Sequence, residues 1–164
     1  FDAGALNIEQ VVRRTAQRLA LPQQLLLNLV ESIGERLAPM ADSVAILQTL
    51  VDLRTQGSDL RLYYLSNMPL PYARTLEQRH AFLQWFDGGI FSGDVQIIKP
   101  DPAIYQLLES RYALAPAQTI FVDDLHTNVR SAQARGWHGI EFASAAQVRA
   151  ALQPLLAAQA KNIE

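Results

Sequence analysis

The sequence predicts an α/β protein, in which a parallel sheet is covered by helices and preceded by a small helical segment. Three observations predict it. The first forty residues carry only helical periodicity. From Gly57 onward, short apolar runs alternate with helical stretches of roughly 10–15 residues, the signature of parallel βαβ units. Two of those runs end directly on polar residues, Ser66-Asn67 and Asp123-Asp124. In an open α/β sheet that is the rim where ligands bind.

The helices come first. Ile8, Val11, Val12, Ala16 and Leu19 recur at helical spacing behind Asn7, a suitable N-cap. Pro22 opens a second helix with a broad stripe from Leu25 to Ile33. Ala38-Pro39-Met40 interrupts, and a third helix runs from near Asp42 to about Gly57. A strand is expected from Leu60 to Leu65 and a helix from about Pro71 to Phe86. Asp87-Gly88-Gly89 reads as a turn and Ile90-Phe91 as a short strand. Pro102 starts a helix. Thr119 to Val122 reads as a buried strand, followed by a helix from about Thr127 to Arg135 that stops at Gly136. Ile140-Glu141-Phe142 is a further strand, and a last helix covers about Ser144 to Ala157.

Composition bounds the function. Of 164 residues 49% are apolar, enough for a core. A net charge of −2 gives no electrostatic footprint for nucleic acid or a membrane surface. No apolar run approaches the ~20 residues of a membrane span. The absence of cysteine excludes disulfides, thiolate metal sites and a thiol nucleophile, and suits a reducing, cytoplasmic compartment.

Four places carry chemistry. At Ser66-Asn67 a hydroxyl, an amide and backbone N–H groups can hold phosphate oxygens; the same pair also suits an ordinary turn. Lys99, behind the apolar residues Val95, Ile97 and Ile98, can neutralise a carboxylate and a phosphate together, or stand solvated in a loop. Asp123-Asp124 follows a buried run, where adjacent carboxylates repel unless a hard cation such as Mg²⁺ shares them. The competing account of that pair is helix capping by Asp124 or Thr127. His126 stands on the rim beside the acids, while His80 and His138 show no metal-ligand spacing. Trp85 and Trp137 read as packing aromatics, Arg13-Arg14 as a solvated helix face.

Together these stretches resemble the haloacid dehalogenase-like hydrolase superfamily. Leu65-Ser66-Asn67 looks like its second motif, Lys99-Pro100-Asp101-Pro102 with Ile104-Tyr105 like its third, and Phe121-Val122-Asp123-Asp124 with Asn128 like its fourth. Separations of 33 residues (Ser66 to Lys99) and 25 (Lys99 to Asp124) fit as well. The resemblance covers about residues 40–145. It implies a three-layer α/β/α, Rossmann-like core over residues 41–164 and part of a small helical cap over residues 1–40. It further implies an aspartyl nucleophile that takes a phosphoryl group with the help of Mg²⁺. By position, Ser66 and Asn67 would bind that group, Lys99 would offset charge, and Asp123 and Asp124 would hold the metal with support from Asn128. The paired acids favour phosphate chemistry, since 2-haloacid dehalogenases carry a Ser/Asn-type loop there.

The first motif, which supplies the nucleophile, has one candidate. Phe1-Asp2-Ala3-Gly4 superficially resembles its Phe-Asp-x-Gly start, but no apolar strand precedes Asp2, and Ser66 follows only 64 residues later. The middle strand of a parallel sheet is its most buried part. Its loss would leave two edges unpaired, at roughly 1–3 kcal/mol per buried polar group, in a domain stable by only about 5–15 kcal/mol. The expectation is therefore that the nucleophilic Asp and its strand lie upstream of Phe1. The expected function is a Mg²⁺-dependent phosphatase of small-molecule phosphate esters. A haloacid-type hydrolase and a non-catalytic binding or assembly module on the same scaffold are the alternatives. The Leu25–Ile33 stripe is broad enough to meet the rest of a cap or the second subunit of a homo-oligomer.

Overall fold

A computed structural model describes residues 1–160. In chain order the helices and strands are α1 (Ile8–Leu19), α2 (Gln23–Glu31), α3 (Ile33–Arg36), α4 (Ala41–Thr55), β1 (Tyr63–Ser66), α5 (Leu70–Arg79), β2 (Gly88–Phe91), α6 (Ser92–Val95), α7 (Pro102–Tyr112), β3 (Ile120–Asp123), α8 (His126–Gln133), β4 (His138–Glu141) and α9 (Ala145–Ala160). The fold is mixed α/β with parallel strands, as expected. Among the described residues the strands form two parallel pairs, β1 with β2 and β3 with β4. The chain divides into two compact units, one of residues Phe1–Ala38 with Leu62–Lys99, the other of Pro39–Arg61 with the chain from Pro100 onward. Among the described residues no helix is long and apolar enough to cross a membrane.

In the first unit Asn7 caps α1 in a full capping box. Its side chain accepts from Gln10 N–H (2.9 Å) while the Gln10 side chain accepts from Asn7 N–H (3.0 Å). Val12, Ala16 and Leu26 then bury the α1–α2 seam, with Ile8, Leu27 and Val30 packed around them. Tyr72 fastens this helical segment to α5. Its hydroxyl donates to the Val30 carbonyl (2.7 Å) and its ring meets Phe1 edge-on at 5.5 Å. Gly34 lets α3 lie close against α5, because a Cβ there would stand 3.1 Å from the Thr75 side chain and 3.3 Å from Tyr72 Cα.

The expected helix over 71–86 is two pieces. It ends at Arg79, His80 turns extended (φ −121°, ψ 100°), and a 3-10 turn covers Ala81–Trp85. His80 Nε2 lies 3.3 Å from the Leu37 carbonyl, and its ring stacks on Phe82, so long-range contacts halt the helix. The strand expected from Leu60 begins only at Tyr63. Ahead of it the Asp87 carboxylate accepts the Leu62 N–H (2.8 Å), and Asp87 N–H returns to the Leu62 carbonyl (2.8 Å). Gly88 and Gly89, expected in a turn, belong to β2. Gly89 pairs with Tyr64, whose ring lies across it, and a Cβ there would fall 2.4 Å from that ring. Gly89→Ala is therefore expected to destabilise the protein by roughly 1–3 kcal/mol, the usual cost of overpacking, read as a lower urea midpoint.

Among the described residues the second unit carries two apolar clusters. Ile46 of α4, Ile140 of β4 and Val148 and Leu152 of α9 make one. Tyr105, Phe121 and Trp137 make the other, with ring centroids 5.6–5.8 Å apart in edge-to-face contact. The expected fully buried strand alternates instead. Phe121 and Asp123 point inward while Val122 is exposed, as the period of two requires when one face is left open.

An ion pair ties this unit together over long sequence distance. Arg135 Nε donates to Glu109 Oε1 (2.8 Å), its NH2 group donates to Oε2, and Trp137 Nε1 donates to Oε1 (2.8 Å). The Arg135 hydrogen bonds hold the Glu109 carboxyl below its usual 4.5, against the opposing effect of burial. A folded value below the unfolded one stabilises above about pH 4.5 and loses that stabilisation as pH falls through the folded value. Glu109→Gln should thus lower stability at pH 7 by about 1.5–3 kcal/mol, the worth of hydrogen bonds to a charged group. The gap to wild type should close on acidification, followed by thermal melts from neutral pH to about pH 3.

Candidate active site

The residues singled out in the sequence fall into two groups, one in each unit. In the first unit, β1 delivers Ser66 at its last position, paired in register with Phe91. The next residue, Asn67, turns its amide onto the main chain of Lys99. Asn67 Nδ2 donates to the Lys99 carbonyl (3.0 Å), and the Lys99 N–H donates to Asn67 Oδ1 (2.8 Å). The Lys99 ammonium in turn donates to the Leu65 carbonyl (2.7 Å), one residue before Ser66. Ser66, Asn67 and Lys99 are therefore brought together although 33 residues separate the first from the last. A hydroxyl and an ammonium are the types of group that can bind an anion with several oxygens.

Ser92, which sequence reasoning missed, is fully buried. Its hydroxyl accepts the Met68 N–H (2.9 Å) and donates to the Asp2 carbonyl. The signal that was available is its position, a hydroxyl straight after an apolar strand. Asp2 itself is exposed and lies in a turn, not at the carboxyl end of a strand.

In the second unit Asp123 ends β3 and is only 9% exposed. Its Oδ1 accepts the Leu125 N–H (2.9 Å) and Asn128 Nδ2 (2.8 Å). Asp123 thus does the capping work that the sequence left open to Asp124 or Thr127; Leu125 is the cap residue and offers no side-chain bond. Asn128 is 2% exposed, and the acceptor-only carboxylate beside it fixes which way its amide faces. Its carbonyl accepts the Tyr105 hydroxyl (3.0 Å), while its side-chain oxygen is buried with no hydrogen-bond partner. Burial first, and the Asp123 charge second, push the Tyr105 phenol up to about 12, so it stays a neutral donor. Asp124 is exposed. His126 opens α8, and its Nδ1 lies 2.8 Å from Glu141 Oε2 at the end of β4. That pair of 15 residues' separation was not visible in the sequence.

The donor set fits magnesium. Mg²⁺ is a hard cation that is usually held by one or two carboxylates plus waters and phosphate oxygens, not by a full protein cage. Among the described residues no group of three or more His, Cys, Asp or Glu side chains is arranged to hold a metal. Two adjacent carboxylates, one fixed by hydrogen bonds and one exposed, match the sparser demand.

Residues 7–136 match the family model described as haloacid dehalogenase-like hydrolase. The chain is 27% identical over 142 residues to a sesquiterpene phosphatase of Aspergillus oryzae, covering 87% of this chain and 70% of that protein. It is 32% identical over 91 residues to phosphoglycolate phosphatase of Escherichia coli, covering 56% of this chain and 35% of the relative. The chain thus spans only about a third of that second protein's length. Among solved structures, a haloacid dehalogenase family enzyme of Bacteroides thetaiotaomicron, in complex with magnesium and inorganic phosphate, superposes with a TM-score of 0.67 at 18% identity. That match covers 85% of this chain and 72% of the other. L-2-haloacid dehalogenase of Xanthobacter autotrophicus gives 0.62 at 23% identity, covering 79% and 52%. These two likenesses show the fold. The match over residues 7–136, most of the chain, shows the family: this protein belongs to the haloacid dehalogenase-like hydrolases.

Proposed function

We propose that the protein is a magnesium-dependent phosphatase of small phosphate monoesters, working through an aspartyl-phosphate. The observation that supports this reading is the Lys99 ammonium on the Leu65 carbonyl (2.7 Å), one residue before Ser66, with the Lys99 main chain bonded to Asn67. The names of the two relatives, a sesquiterpene phosphatase and a phosphoglycolate phosphatase, share only the phosphate ester, which supports the reaction without choosing an alcohol.

In this reading an aspartate oxygen bonds to phosphorus as the ester oxygen leaves with the bonding pair and takes a proton. Water then cleaves the acyl phosphate, releasing inorganic phosphate and restoring the carboxylate. The Ser66 hydroxyl and the Asn67 N–H hold phosphoryl oxygens. Lys99 offsets the charge of nucleophile and phosphate together. Asp123 and Asp124 hold the metal, and Asn128 keeps Asp123 aimed. Magnesium, when bound, shields the phosphoryl charge. Asp2 is the candidate nucleophile within the described residues on its Phe-Asp-x-Gly setting alone, and Gly4 occupies the place of the usual acid/base.

The test is hydrolysis of an aryl phosphate by the full-length gene product. Turnover is expected with Mg²⁺ and should vanish with a chelator. Chloride release from a 2-chloro acid without phosphate release would overturn the reading in favour of dehalogenation. Turnover of neither substrate would favour a non-catalytic module.

A further inference from the structure

The Asn67 side chain bonds both main-chain polar groups of one residue, Lys99. Its oxygen accepts the Lys99 N–H at 2.8 Å and its nitrogen donates to the Lys99 carbonyl at 3.0 Å. This two-bond ring needs a donor and an acceptor side by side in one plane. Asparagine supplies both at this reach, whereas aspartate supplies acceptors only and glutamine is one methylene too long. The next residue, Met68, is held by the same stretch of chain. Ser92 Oγ takes its N–H (2.9 Å) and Gly93 N–H donates to its carbonyl (3.2 Å). Gly93 permits that approach, because a Cβ there would fall 2.7 Å from the Leu70 nitrogen. Residues 92–99 therefore clasp the loop that follows β1 at two consecutive residues. The Lys99 ammonium then falls on the Leu65 carbonyl at 2.7 Å.

We propose that the Asn67 amide is a positioning group: it fixes the main chain of Lys99 against the end of β1, and so sets where the ammonium stands relative to the Ser66 hydroxyl. The inference rests on Lys99 being the charge-offsetting lysine of the phosphatase reading, and it assigns the Asn67 side chain a task separate from holding phosphate. Without the ring, the segment Ile97-Ile98-Lys99-Pro100 is a short irregular loop ending in a proline that has no N–H to anchor it.

The sequence offers a direct probe, since Lys99 and Lys161 are its two lysines. In protein labelled with ¹³C,¹⁵N-lysine and free of substrate, the Cε and Nζ signals of Lys99, assigned through Lys99→Arg, report the ammonium's surroundings. Asn67→Ala is expected to move them toward free-lysine positions. Asn67→Asp, which keeps one of the two bonds, should move them less. The Lys161 signals serve as the internal reference. In the same variants kcat for an aryl phosphate should fall roughly 10- to 100-fold, the cost of about 1 Å of misplacement, with KM changed far less. Asn67→Gln should not restore it. Lys99 signals unmoved in both the Ala and Asp variants overturn the proposal, whatever happens to turnover. Signals that move in the Asn67 variants, together with a wild-type protein that shows no phosphatase activity, support the clamp and overturn the phosphatase reading instead.

Discussion

Lys99→Ala is expected to remove most turnover of an aryl phosphate, by roughly 10²- to 10³-fold or more, while the protein stays folded. The scale is that of deleting one preorganised donor aimed at developing charge, and an ammonium carries more than a neutral donor. Taking the ammonium from the Leu65 carbonyl costs about 1–3 kcal/mol, less than the roughly 5–15 kcal/mol by which a domain is stable. Lys99→Arg should not rescue the rate. The guanidinium is planar and longer, and it cannot take the place of a compact charge that reaches Leu65 O while its backbone is pinned by Asn67. Steady-state kinetics alongside a thermal melt check this. A variant within twofold of wild type would remove Lys99 from the site.

What the sequence showed, and what it hid, divides by the range of the interactions. Asn7 with Gln10, Pro22 at the start of α2 and Pro102 behind the capping Asp101 act within a few residues, so the starts of α1, α2 and α7 were legible almost to the residue. The strand ends were legible for the same reason: a run of β-branched and aromatic residues meets a polar pair. What was hidden acts at a distance. The Asp87 carboxylate delays β1 by bonding Leu62 from 25 residues away, and His80 stops a helix by reaching Leu37, 43 residues back. Glu109 is held by Arg135 and Trp137, 26 and 28 residues on. At the site, the residue types at Ser66, Asn67, Lys99, Asp123 and Asn128 could be read, but not the direction each side chain takes. A dipeptide such as Ser-Asn carries no sign that its amide will close a ring with a lysine backbone. Asp123-Asp124 likewise does not disclose which of the two faces inward.

That last distinction gives the second large effect. In the proposed site Asp123 would have two jobs and Asp124 one. Asp123 Oδ1 supports the Leu125 N–H at the entry to α8 and the buried Asn128 amide, so Asp123→Ala strands two donors. At about 1–3 kcal/mol for each donor left without a partner, it should lower Tm by several degrees in metal-free buffer and abolish activity at any Mg²⁺ concentration. Asp123→Asn keeps an oxygen where both donors need one, so its fold should survive while its metal-dependent turnover does not. Asp124 is exposed, and Asp124→Asn should leave Tm unchanged while raising the Mg²⁺ needed for half-maximal turnover by roughly 10-fold or more. Mg²⁺ titrations of aryl phosphate hydrolysis, paired with melts in chelator, separate the three variants. If Asp124→Asn needed no more magnesium than wild type, the exposed carboxylate would not be a ligand. If Asp123→Asn melted as early as Asp123→Ala, the charge itself, not the accepting oxygen, would be what holds the start of α8.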